Sequence, residues 1–96
     1  MNNDDMKNGW VILTKSDCVY CERVKCLLTG FKYHAINCDE YLKEPEKRKE
    51  FLAYIKNRIG RSYEYFPMVF YNYLFIGGYN ETKEFLLSNI FINDDF

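Results

Sequence analysis

The sequence predicts an α/β domain, a four-stranded mixed sheet flanked by three helices in the order β-α-β-α-β-β-α. Two observations carry this. Apolar runs too short for helices alternate with longer segments whose apolar residues recur at helical spacing. The last two such runs are neighbours, separated only by Asn72-Tyr73, and read as a hairpin. A β-α-β start implies a right-handed crossover between parallel strands, and the hairpin adds an antiparallel pair.

The elements follow in order. Trp10-Val11-Ile12-Leu13-Thr14 is a continuous apolar run that suits a strand buried on both faces. After the polar loop Lys15-Ser16-Asp17, residues Tyr20, Val24, Leu27, Leu28 and Phe31 fall on one helical face, and Gly30 is placed to cap it. Tyr33 to Cys38 reads as the second strand. A charged loop from Asp39 to Glu44 leads to Pro45, which suits the first turn of a helix. Phe51, Leu52, Ile55 and Ile59 form that helix's apolar face, and Gly60 ends it. Pro67 to Tyr71 and Leu74 to Ile76 form the hairpin, and Gly77-Gly78 breaks its second strand. Asn80 is positioned to cap the last helix, with Glu81 and Glu84 in its first turn and Phe85, Leu86 and Ile90 on its buried side.

At 96 residues the chain forms one domain, spanning 1–96, with 1–8 and 91–96 expected as tails. Hydrophobic residues make up 48%, enough for a packed core rather than a disordered chain. Thirteen basic against fourteen acidic residues leave a net charge of -1, which offers nucleic acid and anionic membranes no basic field. No apolar stretch is long enough to span a bilayer. The acidic, polar start lacks the basic and apolar regions of a secretory signal, so a cytoplasmic location is expected. In a reducing compartment a close cysteine pair reads as metal-binding or redox-active rather than as a staple.

That pair is Cys18-Val19-Tyr20-Cys21, where the first strand's loop meets its helix. A thiol attacks as thiolate, and at an ordinary pKa of about 8.5 only a few per cent is ionised at neutral pH. The helix start offers unpaired N–H groups and the positive end of the dipole, and Lys15 adds a nearby cation. Cys18 is therefore the expected nucleophile, with Cys21, one turn further in, resolving its product. A CxxC alone also fits a metal knuckle. A zinc set of Cys18, Cys21, His34 and Cys38 has poor spacing, and no metal is expected. Cys26 reads as an ordinary semi-buried cysteine and Cys38 as a packing residue.

The segment Thr14 to Cys21 resembles the active site of the glutaredoxin family, with a Lys three residues before a Cys-Pro-Tyr-Cys-like motif. Phe66-Pro67-Met68-Val69-Phe70 resembles that family's Val-Pro segment with a cis proline. Ile76-Gly77-Gly78 resembles its Gly-Gly before the last helix, and Asn80-Glu81 stands where polar or acidic residues follow. The resemblance runs from about Trp10 to Ile90. It implies a thioredoxin-like fold and glutathione-dependent thiol–disulfide exchange. It further implies that the Phe66 backbone pairs with the cysteine of glutathione beside cis Pro67, that the Tyr79 and Asn80 amides hold its γ-glutamyl carboxylate next to Gly78 and Glu81, that Lys15 meets its glycine carboxylate, and that Tyr20 walls the groove. The expected partners are glutathione, as reducing cosubstrate, and disulfide-bearing or glutathionylated proteins, with the chain acting as a monomer. Two alternatives are a dimeric carrier of a glutathione-ligated two-iron cluster and a thioredoxin-like disulfide reductase. Val19 in place of proline bears on the first; Asp17 in place of the usual tryptophan argues against the second.

Overall fold

The computed structural model describes residues 6–94, with side chains through residue 89. Strand β1 (Trp10–Thr14) runs through the middle of the sheet and is buried along its whole length. It pairs in parallel with β2 (Tyr33–Asn37) and antiparallel with β3 (Met68–Tyr71), which in turn pairs antiparallel with β4 (Leu74–Gly77). The sheet order is β2-β1-β3-β4. The mixed sheet, with its first two strands parallel and its last two an antiparallel hairpin, agrees with the expectation.

Successive strand residues point to opposite faces, and here both faces are covered. On one side Val11 and Leu13 join Met68, Phe70, Phe51 and Ile55, the last two from helix α3 (Pro45–Ile59). On the other, Trp10 and Ile12 join Val69 with Val24 and Leu28 from the α1 (Val19–Leu27) region, flanked by Phe85 and Leu86 of α4 (Tyr79–Asp94). A continuous apolar strand is the sequence of an element with no solvent face. Each such side chain contributes about 1.5–3 kcal/mol on burial, so β1 is the strand the fold can least do without.

Three expectations are corrected. Four helices form rather than three, because Asp39–Leu42, read as loop, closes one turn, α2, ahead of Pro45. Helix α1 ends two residues before the expected Gly30 cap: the Leu28 N–H donates to the Val24 carbonyl and the Thr29 N–H to that of Cys26, and Phe31 lies outside the helix, half-exposed against Trp10. Met6, placed in the first tail, is 4% exposed and packs into the α3-side core, and α4 continues through Asp94 into the second tail. Ile90 lies outside the described side chains. Gly60 does end α3, with a φ of 84° and its N–H on the Lys56 carbonyl. The hairpin turns at Asn72 and Tyr73, both with positive φ, and Asn72 is held by Gly9, whose N–H donates to its Oδ1 at 2.7 Å.

Candidate functional site

At the end of β1 the chain must reverse into α1 within Lys15–Asp17. Asp17 makes the reversal with a φ of 56°, which Asp tolerates better than most residues. Cys18 follows in extended conformation as the N-cap of α1, and its Sγ accepts the Cys21 N–H at 3.2 Å. A sulfur in this seat stands where a helix leaves its first donors unpaired. Cys18 and Cys21 form a disulfide, their Cα atoms 5.2 Å apart. Cys21 is fully buried while Cys18 is half-buried, so an incoming sulfur can reach only Cys18. The structure thus provides the asymmetry that separates an attacking cysteine from a resolving one.

Because β1 and β3 are antiparallel, the end of β1 lies beside the start of β3. Phe66, joined to Pro67 by a cis peptide bond, therefore stands over the cysteine pair, its carbonyl oxygen 3.7 Å from Cys18 Sγ. The exposed Lys15 sends its Nζ over the Phe66 ring, 5.9 Å from the centroid. On the other flank the rings of Tyr20 and Tyr79 meet at 5.8 Å. A cleft of about 540 Å³, lined by Lys15, Asp17, Glu22, Lys25 and Asn37 among others, reaches Cys18 from the β2 side.

Helix α4 starts at Tyr79, which makes Gly78 the cap position and corrects the expectation for Asn80, now an exposed first-turn residue. Glu81 reaches back three residues to accept the Gly78 N–H at 2.8 Å, and buried Thr82 donates its hydroxyl to the Gly78 carbonyl at 2.8 Å. This is the Glu half of a capping box. With Gly78 N–H engaged by Glu81, the next amides of the helix start, those of Tyr79 and Asn80, are the ones an anion can meet. The two glycines have separate reasons. Gly77 has a φ of 133°, and a Cβ there would stand 2.7 Å from Glu81 Cβ. At Gly78 the nearest atoms to such a Cβ are 3.5 Å away or more, among them the Tyr63 hydroxyl and the Pro67 carbonyl. Gly77 is thus required by the fold, whereas Gly78 keeps a surface low beside Pro67.

Nine of the ten expected site residues fall into contact groups around the cysteine pair: Lys15, Phe66 and Cys18; Cys18 and Cys21; Tyr20 and Tyr79; Pro67, Gly78 and Glu81. Asn80 joins them only through its place in the chain. Two contributors escaped the sequence reading. Tyr63 sits against Gly78 and Phe75, its phenol pushed up by burial and by the negative charge of Glu81. Asp39 reaches the active-site loop through Ser16 and is held below the usual carboxylate range chiefly by those Ser16 hydrogen bonds. Neither carries a local motif, since each meets its partner across a long stretch of chain. Cys26 is exposed rather than semi-buried, and Cys38 is buried as expected. Among the described residues no cluster of three His, Cys, Asp or Glu side chains could hold a metal, and no helix is long and apolar enough to cross a membrane.

Comparison with known proteins agrees with this geometry. The family profile described as Glutaredoxin matches residues 10–76. Among solved structures, glutaredoxin 1 from Francisella tularensis, complexed with cacodylate, superposes with a TM-score of 0.68 at 19% identity, over 88% of this chain and 96% of its own, and shows the shared fold. The buckwheat glutaredoxin–glutathione complex has a TM-score of 0.66 at 27% identity, covering 85% and 71% of the two chains. The holo form of glutaredoxin C1 from Populus tremula x tremuloides has a TM-score of 0.66 at 28% identity, covering 90% and 81%. The search of curated proteins gave no significant match. A profile that spans β1 through most of β4, on a fold that carries its cysteine pair at the head of α1, places this chain in the glutaredoxin family, as a thioredoxin-fold thiol–disulfide oxidoreductase.

Proposed function

We propose that the protein is a glutathione-dependent oxidoreductase that reduces glutathione mixed disulfides and protein disulfides. One observation carries this reading: a half-buried Cys18 sulfur accepts a helix-start N–H and lies 3.7 Å from the Phe66 carbonyl oxygen, with buried Cys21 behind it. A structural relative in complex with glutathione supports the choice of thiol.

In the reduced protein the Cys18 thiolate, favoured by backbone N–H groups and the helix dipole, attacks the glutathione sulfur of a mixed disulfide. The old S–S bond breaks, the substrate thiolate leaves and takes up a proton, and Cys18 is left bonded to glutathione. A second glutathione thiolate attacks that bond, releasing oxidised glutathione and restoring the Cys18 thiolate. With a protein disulfide, Cys18 forms the mixed disulfide and Cys21 displaces the substrate, giving the Cys18–Cys21 bridge that two glutathiones then reduce. In this reading the Phe66 backbone lines up the tripeptide, and the Tyr79 and Asn80 amides take its γ-glutamyl carboxylate. Lys15 meets the opposite carboxylate, Tyr20 forms the wall, and Gly78 leaves room for close approach. The protein acts as a monomer in the reducing cytoplasm, where an exposed thiol such as Cys26 persists.

Turnover of a glutathione mixed disulfide by the wild type, Cys18→Ser and Cys21→Ser tests the proposal. Cys18→Ser should lose all activity while Cys21→Ser keeps deglutathionylation. Equal loss in both variants would contradict the division of roles.

A further inference from the structure

We propose that Asp39 is a positioning residue for the reactive cysteine, its carboxylate holding the β1–α1 loop in the shape that sets Cys18 at the head of α1. The inference rests on the reading of Cys18 as the attacking thiol.

The β1–β2 ladder ends at the Thr14–Asn37 pair, and one further bond, from Cys38 N–H to the Thr14 carbonyl at 2.8 Å, closes it. Beyond that point the two chains part, and the loop carrying Lys15 and Asp17 would have no partner. Asp39 supplies one. Its Oδ1 accepts the Ser16 N–H at 2.9 Å and its Oδ2 accepts the Ser16 hydroxyl, across 23 residues of sequence. Hydrogen bonds to an ionised carboxylate are about twice as strong as neutral ones, and two of them fix orientation as well as distance. The carboxylate is itself fixed. Asp39 begins α2, and its own N–H donates to Asn37 Oδ1 at 2.8 Å.

What this tether holds is the seat of the chemistry. Lys15 lies between two tied residues, Thr14 and Ser16, and from there its Nζ reaches the Phe66 ring. Asp17 follows in the left-handed region, a conformation that persists only where the surroundings impose it, and Cys18 comes next. Releasing Ser16 lets Asp17 relax and turns Cys18 Sγ away from the Cys21 N–H that it accepts at 3.2 Å.

The test is iodoacetamide alkylation of the fully reduced protein as a function of pH, in a Cys26→Ser background so that the exposed second thiol does not report. Wild type, Asp39→Ala, Asp39→Asn and Ser16→Ala are compared, each with a melting curve to show that it is folded. Asp39→Ala should raise the alkylation midpoint and slow the reaction at pH 7 about tenfold, the effect of one pKa unit. Ser16→Ala, which keeps the backbone contact, should show a smaller change in the same direction. It also serves as the reporting variant should Asp39→Ala fail to fold. Asp39→Asn, which keeps an oxygen for the Ser16 N–H, should recover most of the rate. A reactive wild type matched by an equally reactive, folded Asp39→Ala, or by an unchanged Ser16→Ala where Asp39→Ala does not fold, overturns the positioning role alone. An Asp39→Asn as slow as Asp39→Ala overturns it too. A wild type that ionises no more readily than free cysteine sinks the assignment of Cys18 and this inference with it.

Discussion

Replacing Gly77 with alanine probes the junction between β4 and α4, where the fold and the proposed glutathione groove meet. The new Cβ would stand 2.7 Å from Glu81 Cβ and 2.8 Å from Glu81 Cγ, against a comfortable carbon–carbon separation of about 3.5–4.0 Å. Glu81 Cβ is fixed to the first turn of α4 and cannot swing aside, so the strand or the helix must move. Overpacking of this kind costs about 1–3 kcal/mol. The φ of 133° adds a penalty of order 1–3 kcal/mol that glycine does not incur. Together these come to about 2–6 kcal/mol, and a middle value of about 4 kcal/mol, at roughly 4–8 °C per kcal/mol for a domain of this size, lowers the melting temperature by about 16–32 °C. Gly78→Ala is the control. Its nearest contacts are 3.5 Å or longer and its φ lies outside the left-handed region, so its stability should stay within about 1 kcal/mol of wild type. Its turnover of a glutathione mixed disulfide should nonetheless fall, because the methyl stands beside Tyr63 and Pro67. Differential scanning calorimetry of the three proteins gives the answer. A Gly77→Ala that melts within about 3 °C of wild type, or a Gly78→Ala that melts equally low, refutes the reasoning.

Three further outcomes are expected. Met6→Ala, which truncates a side chain only 4% exposed, should cost about 2–3 kcal/mol in urea denaturation, whereas a change at exposed Lys7 should cost almost nothing. The raised pKa of Tyr63 means the fold favours its neutral phenol. That contribution is fully present below the ordinary tyrosine value of about 10 and is lost as pH rises through the higher folded value. An alkaline absorbance titration of wild type minus Tyr63→Phe should show one late-ionising phenol, and Glu81→Gln should bring it earlier. The lowered pKa of Asp39 has the opposite sense. Its contribution holds above the unfolded value of about 3.9 and disappears as pH falls through the folded one, so the stability gap between wild type and Asp39→Ala should close in acid.

The elements read most directly from the sequence are those whose environment is uniform along their length. Trp10 to Leu13 are apolar at every position because both faces are covered, and Gly60 ends α3 because its left-handed φ, which glycine adopts without strain, turns the chain out of the helix after a last bond to Lys56. Helix α2 was missed because four residues span barely one turn and show no period. Met6 was missed because its burial comes from α3-side residues far along the chain. The cysteine pair and the Phe66–Pro67 segment stood out as motifs, and the fold brings them together as expected. The Ser16–Asp39 tether and the place of Tyr63 beside Gly78 left no mark, since nothing about an isolated serine, aspartate or tyrosine announces a partner in a distant segment. Gly77 was legible as a break in the hairpin's second strand, but the need for glycine there comes from Glu81, a contact made only in the fold.

The pairing of Leu13 with Met68 has one more consequence. It locks the two halves of the reactive centre to a common ruler, the hydrogen-bond spacing of neighbouring strands, and leaves the rest of the backbone free to vary in length. Residues inserted between the end of α3 and Phe66 can bulge outward without altering the distance from sulfur to carbonyl. A chain of this architecture can therefore lengthen or trim its connecting segments over generations and still present an unchanged reaction geometry.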